Sequence, residues 1–538
     1  MTEQRTGRGG CTLAMGFLLV GVGTLLIVSN ILGFSLFWFW QQIFSWFSVY
    51  WPVLLIIWGI YKLYQRVVHP DSARVGAGEV LLLLSIVLAG LTIHFTQTLV
   101  TGLPAHISLD DIIESIDSEV SFGPAHSFYE EHRFELPSDV GLLIDNDRGS
   151  VSVQGWDESD LKVQVTKRVY RHSEEKAAEI AEEMRAQFDT PVEGPARFAL
   201  DTPSDASQTQ TDLEVWIPRK TPLTLSNRRG PLRVSGIEAA VGLATANDSI
   251  EVKDIQGNLK VSGRRGPVRI ERVQGDVEAR NLYGSLIIKE IRGNLIGETR
   301  NDSLLVENVS GTARLVNRQS RIHAHDIGSD LTIEATQTEV SAENLGATVF
   351  VETSYRPVFV KGVDGRLTIE AHSSEIEVRD IKGNLDVATT HRSVTAVGID
   401  GGASIISRQG AVRLEGVKGA IQIEGSYHPI YINDFRSSLK VQAEHAPLTI
   451  STAELGGELQ ITTTYGNVQL SLPPESSFRL EATAKGGEVI ASDFRQPNWE
   501  ESQADDVNKL LGTVSGGASP IVIETSYGDI RILESGKQ

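Results

Sequence analysis

Apolar residues return every 18 positions along this chain and hold that phase from Leu223 to Leu448 without an insertion. One column steps from Leu223 through Val241, Leu259 and Val277 to Leu439. A second steps from Leu232 through Ile250, Val268 and Ile376 to Leu448, and all 13 of its members are branched aliphatic residues. A third runs from Ile237 through Ile255 and Val273 to Phe435. Two more lie two residues after the first and second, through Val261 and Ile270. A phase kept over so many repeats marks stacked rungs, each setting its inward side chains on those of the rung before.

Within one unit, residues 257–274, Leu259 and Val261 alternate with polar residues, as do Val268 and Ile270. That period of two predicts two short strands, each with one buried face. Val273 adds an inward residue on a third, shorter side, and Gly257, Gly263, Gly266 and Pro267 punctuate the corners. Hairpins cannot keep this phase, whereas parallel stacking at about 4.8 Å per rung can. The predicted fold is all-β: a parallel β-helix with 18-residue rungs, right-handed by the crossover rule. Near-copies such as NRRGPLRV at 227–234 and GRRGPVRI at 263–270 fix the register. Two residues are inserted after Leu448, and the pattern resumes at Leu459, Ile461, Val468 and Leu470. Fourteen rungs would make a rod of roughly 65–70 Å.

The stack occupies residues 221–472, and its ends read as caps. In the N-terminal cap, 134–220, Leu142, Ile144, Val151, Val153 and Trp156 have the spacing of one rung. The Ala/Glu-rich run at 173–189 then predicts a helical excursion, and TDLEVWIP at 211–218 leads back in. In the C-terminal cap, 473–538, a polar excursion at about 491–518 precedes Ile521, Ile523, Ile530 and Ile532. A solenoid needs such ends to cover its open edges.

The first hundred residues have a different pattern. No charged side chain occurs from Cys11 to Tyr61. Three predicted transmembrane helices, at about 11–34, 42–64 and 78–100, fill the region 11–100 and make the lipid bilayer a partner. Five of the eight Trp precede residue 60, as interfacial belts require. Arg5 and Arg8 precede the first span, and Lys62, Arg66 and Arg74 separate the second from the third. No Lys or Arg occurs from Val75 to His132, where an acidic linker spans 101–133. The positive-inside rule therefore places residues 1–10 in the cytoplasm and the β-helix outside it. With Cys11 as the lone cysteine, no internal disulfide is available and the rod stands on its core.

A net charge of −20 argues against a nucleic-acid partner, which calls for basic stripes. LEVWIP, LTLSNRRGPLRVSGI, GNLKVSGRRGPVRI and IVIETSYGDIRIL together resemble the bacterial adhesin-like β-helix domains of unknown function. GFLLVGVGTLLIVSNILGF and WPVLLIIWGIYKLY resemble the membrane module of Lia-type cell-envelope stress proteins. The resemblance implies a multi-pass protein of the bacterial cytoplasmic (inner) membrane with its β-helix at the envelope. The third span and the helical excursion depart from the simplest pattern, and the family offers no catalytic residue to carry over.

One polar column precedes each second strand: Arg229, Asn247, Arg265, Tyr283, Asn301, Gln319, Gln337, Tyr355, Ser373, His391, Gln409, Tyr427, His445 and, after the insertion, Tyr465. Tyr283, Tyr355 and Tyr427 are 72 residues apart, roughly 19 Å. With His391, His445 and Tyr465 they form a candidate ladder for glycan or another cell-surface ligand; the same residues also suit a solvated corner whose side chains stack on one another. His323 and His325 flank inward Ala324 and supply at most half of a zinc site, so neither metal nor cofactor is expected. The acids Glu251, Asp254, Glu271, Glu290, Glu307 and Glu334 mostly fill outward slots, and no column is expected to join repeated acids to a basic partner. That disfavours a carbohydrate-active enzyme and any catalytic assignment. The leading expectation is adhesin-like binding or scaffolding at the envelope. The alternative is an envelope-stress sensor or regulator acting through a membrane-protein partner.

Overall fold

A computed structural model describes residues 124–535 apart from 138–139, 202–207, 493 and 495–496. The three expected spans, the cytoplasmic N-terminus and most of the linker lie outside the described residues. Among the described residues no helix is long and apolar enough to cross a membrane.

The 18-residue period is the pairing register. Val241 pairs in parallel with Leu223 below and Leu259 above; Ile250 pairs with Leu232 and Val268. First strands of successive rungs make one sheet and second strands another, as Leu259–Gly263 and Val268–Val273 illustrate. Each column is thus vertical, and no member of the three is more than 3% exposed. Fourteen such rungs run from Leu223 to Leu472. The architecture is an all-β parallel solenoid.

The third side arises from a break inside the second strand. Lys253 pairs with Glu271 and Ile255 with Val273, while Asp254 and Arg272 between them are skipped. Both skipped residues are left-handed, with φ of 57°. Strict alternation would send Ile255 outward; one left-handed step reverses the alternation and returns it to the core. The device repeats at Glu290, Asn308, Asp326, Asn344, Gly362, Asp380, Gly398, Gly416 and Asp434.

At both ends the rung nearest the chain terminus lies inside a cover layer. Leu142–Arg148 and Val151–Trp156 form the rung under Leu223 and Leu232. Ala196–Leu200 and Thr209–Pro218 then cover it from the other side. At the far end Ser519–Ser526 and Ile530–Glu534 lie directly on Leu459–Thr464 and Val468–Leu472. The earlier strand Phe478–Lys485 lies outside Ser519–Ser526. The polar excursion at 491–518 contains the antiparallel hairpin Asn498–Ala504 with Val507–Val514, which closes that sheet.

Two expectations for the N-terminal cap are corrected. The linker placed at 101–133 gives way at Ala125 to an 11-residue strand, Ala125–Glu135, antiparallel to Asp160–Tyr170. Its alternation of Phe128, Glu130, His132 and Phe134 with exposed residues is a strand pattern that acidity obscures. The helix placed at 173–189 spans only Glu174–Glu183, and Ala186–Asp189 is a strand. Phe188 stacks on Phe134 at 4.6 Å, and this packing overrides the helical propensity of its neighbours. The helix seats Ala177, Ala181 and Met184 against Val169. Buried Lys167 pins it, donating to Ala181 O at 2.9 Å and to Glu130 Oε1 at 2.5 Å.

Candidate functional site

The chain passes from first to second strand through a turn of two to four residues, and the variable polar column lies in it. In two of the earlier rungs a buried Asn two positions before the column residue braces the turn. Asn281 Nδ2 donates to the carbonyls of Gly266 and Ser285 at 2.9 and 3.1 Å. Asn317 does the same with Asp302 and Arg321 at 2.8 and 3.2 Å. These bonds hold the corner backbone at Tyr283 and Gln319.

From Gln337 onward the column is left-handed: Tyr355 φ 69°, His391 φ 68°, Tyr427 φ 66°, His445 φ 54° and Tyr465 φ 57°. That backbone costs about 1–2 kcal/mol for a residue with a Cβ. It also aims the N–H along the rod. Tyr355 N donates to His372 O at 2.9 Å, Tyr427 N to Glu444 O at 2.8 Å, and His445 N to Thr464 O at 2.6 Å. Tyr283 is built differently. It lacks the left-handed backbone, and its N–H donates the other way, to Arg264 O at 3.0 Å.

The six candidate residues therefore separate into three groups. Tyr283 stands alone. Tyr355 meets His372 edge to face at 5.6 Å, and His372 meets His391 at 5.8 Å, with His372 Nδ1 3.0 Å from Thr390 Oγ1. Tyr427, His445 and Tyr465 stack with Tyr527 into one column of four rings. Their centroids are 5.2, 4.6 and 4.9 Å apart and their planes lie within 10°. The column ends on Gly486, where an added Cβ would lie 3.2 Å from Tyr527 Cδ1. Because the rings cover one another's faces, the stack offers solvent its edges, hydroxyls and imidazole nitrogens. Tyr427, Tyr465 and Tyr527 are still 53–56% exposed.

Sequence reasoning missed His372 and Tyr527. His372 sits one position before its column, so stepping by 18 passes it. Tyr527 lies beyond the C-terminal excursion, but ITTTYGNVQL at 461–470 and IETSYGDIRI at 523–532 share a pattern that could have revealed it.

The third edge has a different surface. An open groove of about 810 Å³ runs along it, lined by Asn308, Asp326, Asn344, Asp380, Lys382 and Asp400 among others, with Gly328, Gly346, Gly362 and Gly398 contributing backbone. Two of its acids are matched to a lysine one rung on: Asp364 to Lys382 at 2.6 Å and Asp400 to Lys418 at 2.7 Å. The hydrogen bond to Asp364, then its charge, raises Lys382 above the ordinary lysine range. His323 and His325 lie side by side, their rings 6.4 Å apart, and His325 Nδ1 is 3.4 Å from Asp326. Among the described residues no three His, Cys, Asp or Glu side chains converge as a metal ion requires.

No curated protein matches the chain. One solved structure with a match is described as a putative cell adhesion protein from Clostridium sporogenes ATCC 15579. It is 8% identical, and the match covers 76% of this chain and 100% of that one with a TM-score of 0.14. Residues 361–533, the C-terminal rungs with their cap and the four-ring stack, are similar to the Toastrack family, DUF4097.

Proposed function

We propose that this chain is a membrane-anchored, non-enzymatic β-helix protein that holds its rod outside the cytoplasm as an adhesin-like binding or scaffolding surface. The observation that carries the reading is the corner column of Tyr427, His445, Tyr465 and Tyr527. These are large side chains held on costly left-handed backbone and kept at the surface. A turn alone would be served better by Asn or Gly at those positions. Ring edges and hydroxyls in a fixed row suit an extended polar ligand such as glycan. The apolar runs at 11–34, 42–64 and 78–100 support the anchor, and the Lys/Arg bias supports the orientation. The similarity of the N-terminal residues to Lia-type modules favours a second reading, a regulator that couples the rod to a membrane partner.

Two experiments test this. A reporter fused after Gln538 should be active only outside the cytoplasm; activity inside removes the three-span topology. On a glycan array, the full chain should be captured, and Tyr427→Ala, Tyr465→Ala and Tyr527→Ala together should weaken capture by about tenfold or more, at about 1 kcal/mol per aromatic contact. Circular dichroism should show the fold kept. Undiminished capture by the folded triple variant takes the stack out of the binding surface.

A further inference from the structure

The aromatic rings leave one property of the corner unexplained. The chain carries a net charge of −20, yet arginines gather at these turns. Arg264, Arg300, Arg318, Arg356, Arg392 and Arg408 all lie there, all are exposed, and none pairs with an acid among the described residues. No lysine occupies the corner turns from Arg228 to Arg408. Most acids of the same turns are engaged. Asp302 accepts the N–H of Ser303 at 2.6 Å, Asp248 that of Ser249 at 2.7 Å, and Glu339 lies 3.7 Å from Arg321. Glu375 is the exception. The third edge shows what matched charge looks like on this scaffold: Asp254 with Arg272 at 2.6 Å, Asp364 with Lys382, and Asp400 with Lys418.

Successive free arginines are one or two rungs apart, about 5–10 Å along the rod. A planar guanidinium presents paired donors that fit a phosphate, sulfate or carboxylate; a lysine offers only a point charge. Each exposed arginine alone binds weakly, but a row of them engages a polymer many times over. We infer that this corner takes an extended anionic polysaccharide, its acidic groups on the arginines and its sugar edges along Tyr355, His391 and the four-ring stack. The inference rests on the binding-surface reading above and adds the charge of the ligand. Because the chain as a whole repels polyanions, the attraction is local to the corner and weakens as salt rises.

The test uses the full-length chain in nanodiscs of neutral lipid, with dextran sulfate and unmodified dextran of equal length as probes. Dextran sulfate should bind, more weakly at higher salt, and dextran should bind far less. Changing the six arginines to Gln should weaken dextran sulfate binding by about tenfold or more, a 1.4 kcal/mol change, with thermal melting unchanged. Changing all six to Lys keeps the charge and loses the paired donors, so it should weaken binding partly; if the Gln set melts early, the Lys set carries the test. Wild-type binding by the Lys set would overturn recognition by guanidinium geometry. Equal binding of both dextrans would overturn the charge inference and leave the binding surface standing. Failure of dextran sulfate to bind would also overturn it, while the glycan array judges the surface separately. Tighter binding to duplex DNA or to anionic vesicles than to dextran sulfate would reassign the corner to nucleic acid or membrane.

Discussion

At the third edge of the rod a left-handed residue recurs every 18 positions from Gly236 to Asp434, and ten of those twelve residues are Asp, Asn or Gly. At the corner the same backbone recurs from Gln337 to Tyr465, and none of its eight residues is Asp, Asn or Gly. Asp, Asn and Gly adopt this conformation most readily. The third edge is therefore filled by what its backbone asks for, and the corner by side chains its backbone disfavours. The groups exposed differ accordingly: paired charges beside a groove at one edge, free arginines and stacked rings at the other. The corner column departs from its own backbone preference, and the proposed binding surface rests on that departure.

The core shared by both edges should give the largest effect. Ile376→Asp buries a carboxylate in an all-aliphatic column and should cost several kcal/mol, read as a large fall in melting temperature of the full chain. Glu377→Lys, next to it but outward, loses only the exposed contact with Arg379 at 2.7 Å and should cost less than about 1 kcal/mol. Equal shifts would mean that inside and outside are misassigned for both edges.

The two left-handed columns should respond in opposite ways to substitution. Asp380→Val forces a β-branched residue into φ of 58° and should cost about 1–2 kcal/mol. At the corner, Tyr427→Gly relieves comparable strain while losing a stacking contact of about 0.5–1.5 kcal/mol, so stability should barely move. The same change should lower ligand capture. If Tyr427→Gly destabilises as much as Asp380→Val, the corner rings belong to the fold rather than to a surface kept for binding.

The smallest effect is electrostatic. The hydrogen bond from Arg272, and to a lesser degree its charge, hold Asp254 below the ordinary carboxylate range against the opposing push of partial burial. Because its folded value is depressed, the stabilisation from this pair is present at neutral pH and is lost as pH falls through that value. Arg272→Gln should return Asp254 toward the ordinary range in a carboxyl NMR titration. An unmoved midpoint would mean that the third-edge pairs do not hold in solution.

The interior of the rod was open to reading because stacking makes the nearest neighbour of Ile250 always Val268, 18 residues on. A fault in the pattern would have placed a polar residue in the core. The caps were harder, since chain order and spatial order part there: Ile521 lies between Leu459 and Leu480, and a pattern read along the chain has no term for insertion. In the N-terminal cap, Phe134 and Phe188 select strands where Glu-rich surroundings suggested linker and helix. For the site, the corner column and most of its members were legible, but their grouping was not.

By itself the sequence determined the period, the inward columns, the parallel stack and the corner where variable side chains emerge. Each of these follows from repetition and the cost of exposing apolar surface. Only the tertiary structure decided that Tyr283 stands apart from Tyr355 and Tyr427, because the equal spacing of these residues conceals two backbone conformations with opposite hydrogen-bond directions. Only it placed Tyr527 against Tyr465, 62 positions earlier, because the terminal rung slides under its cover and brings two distant corners to 4.9 Å.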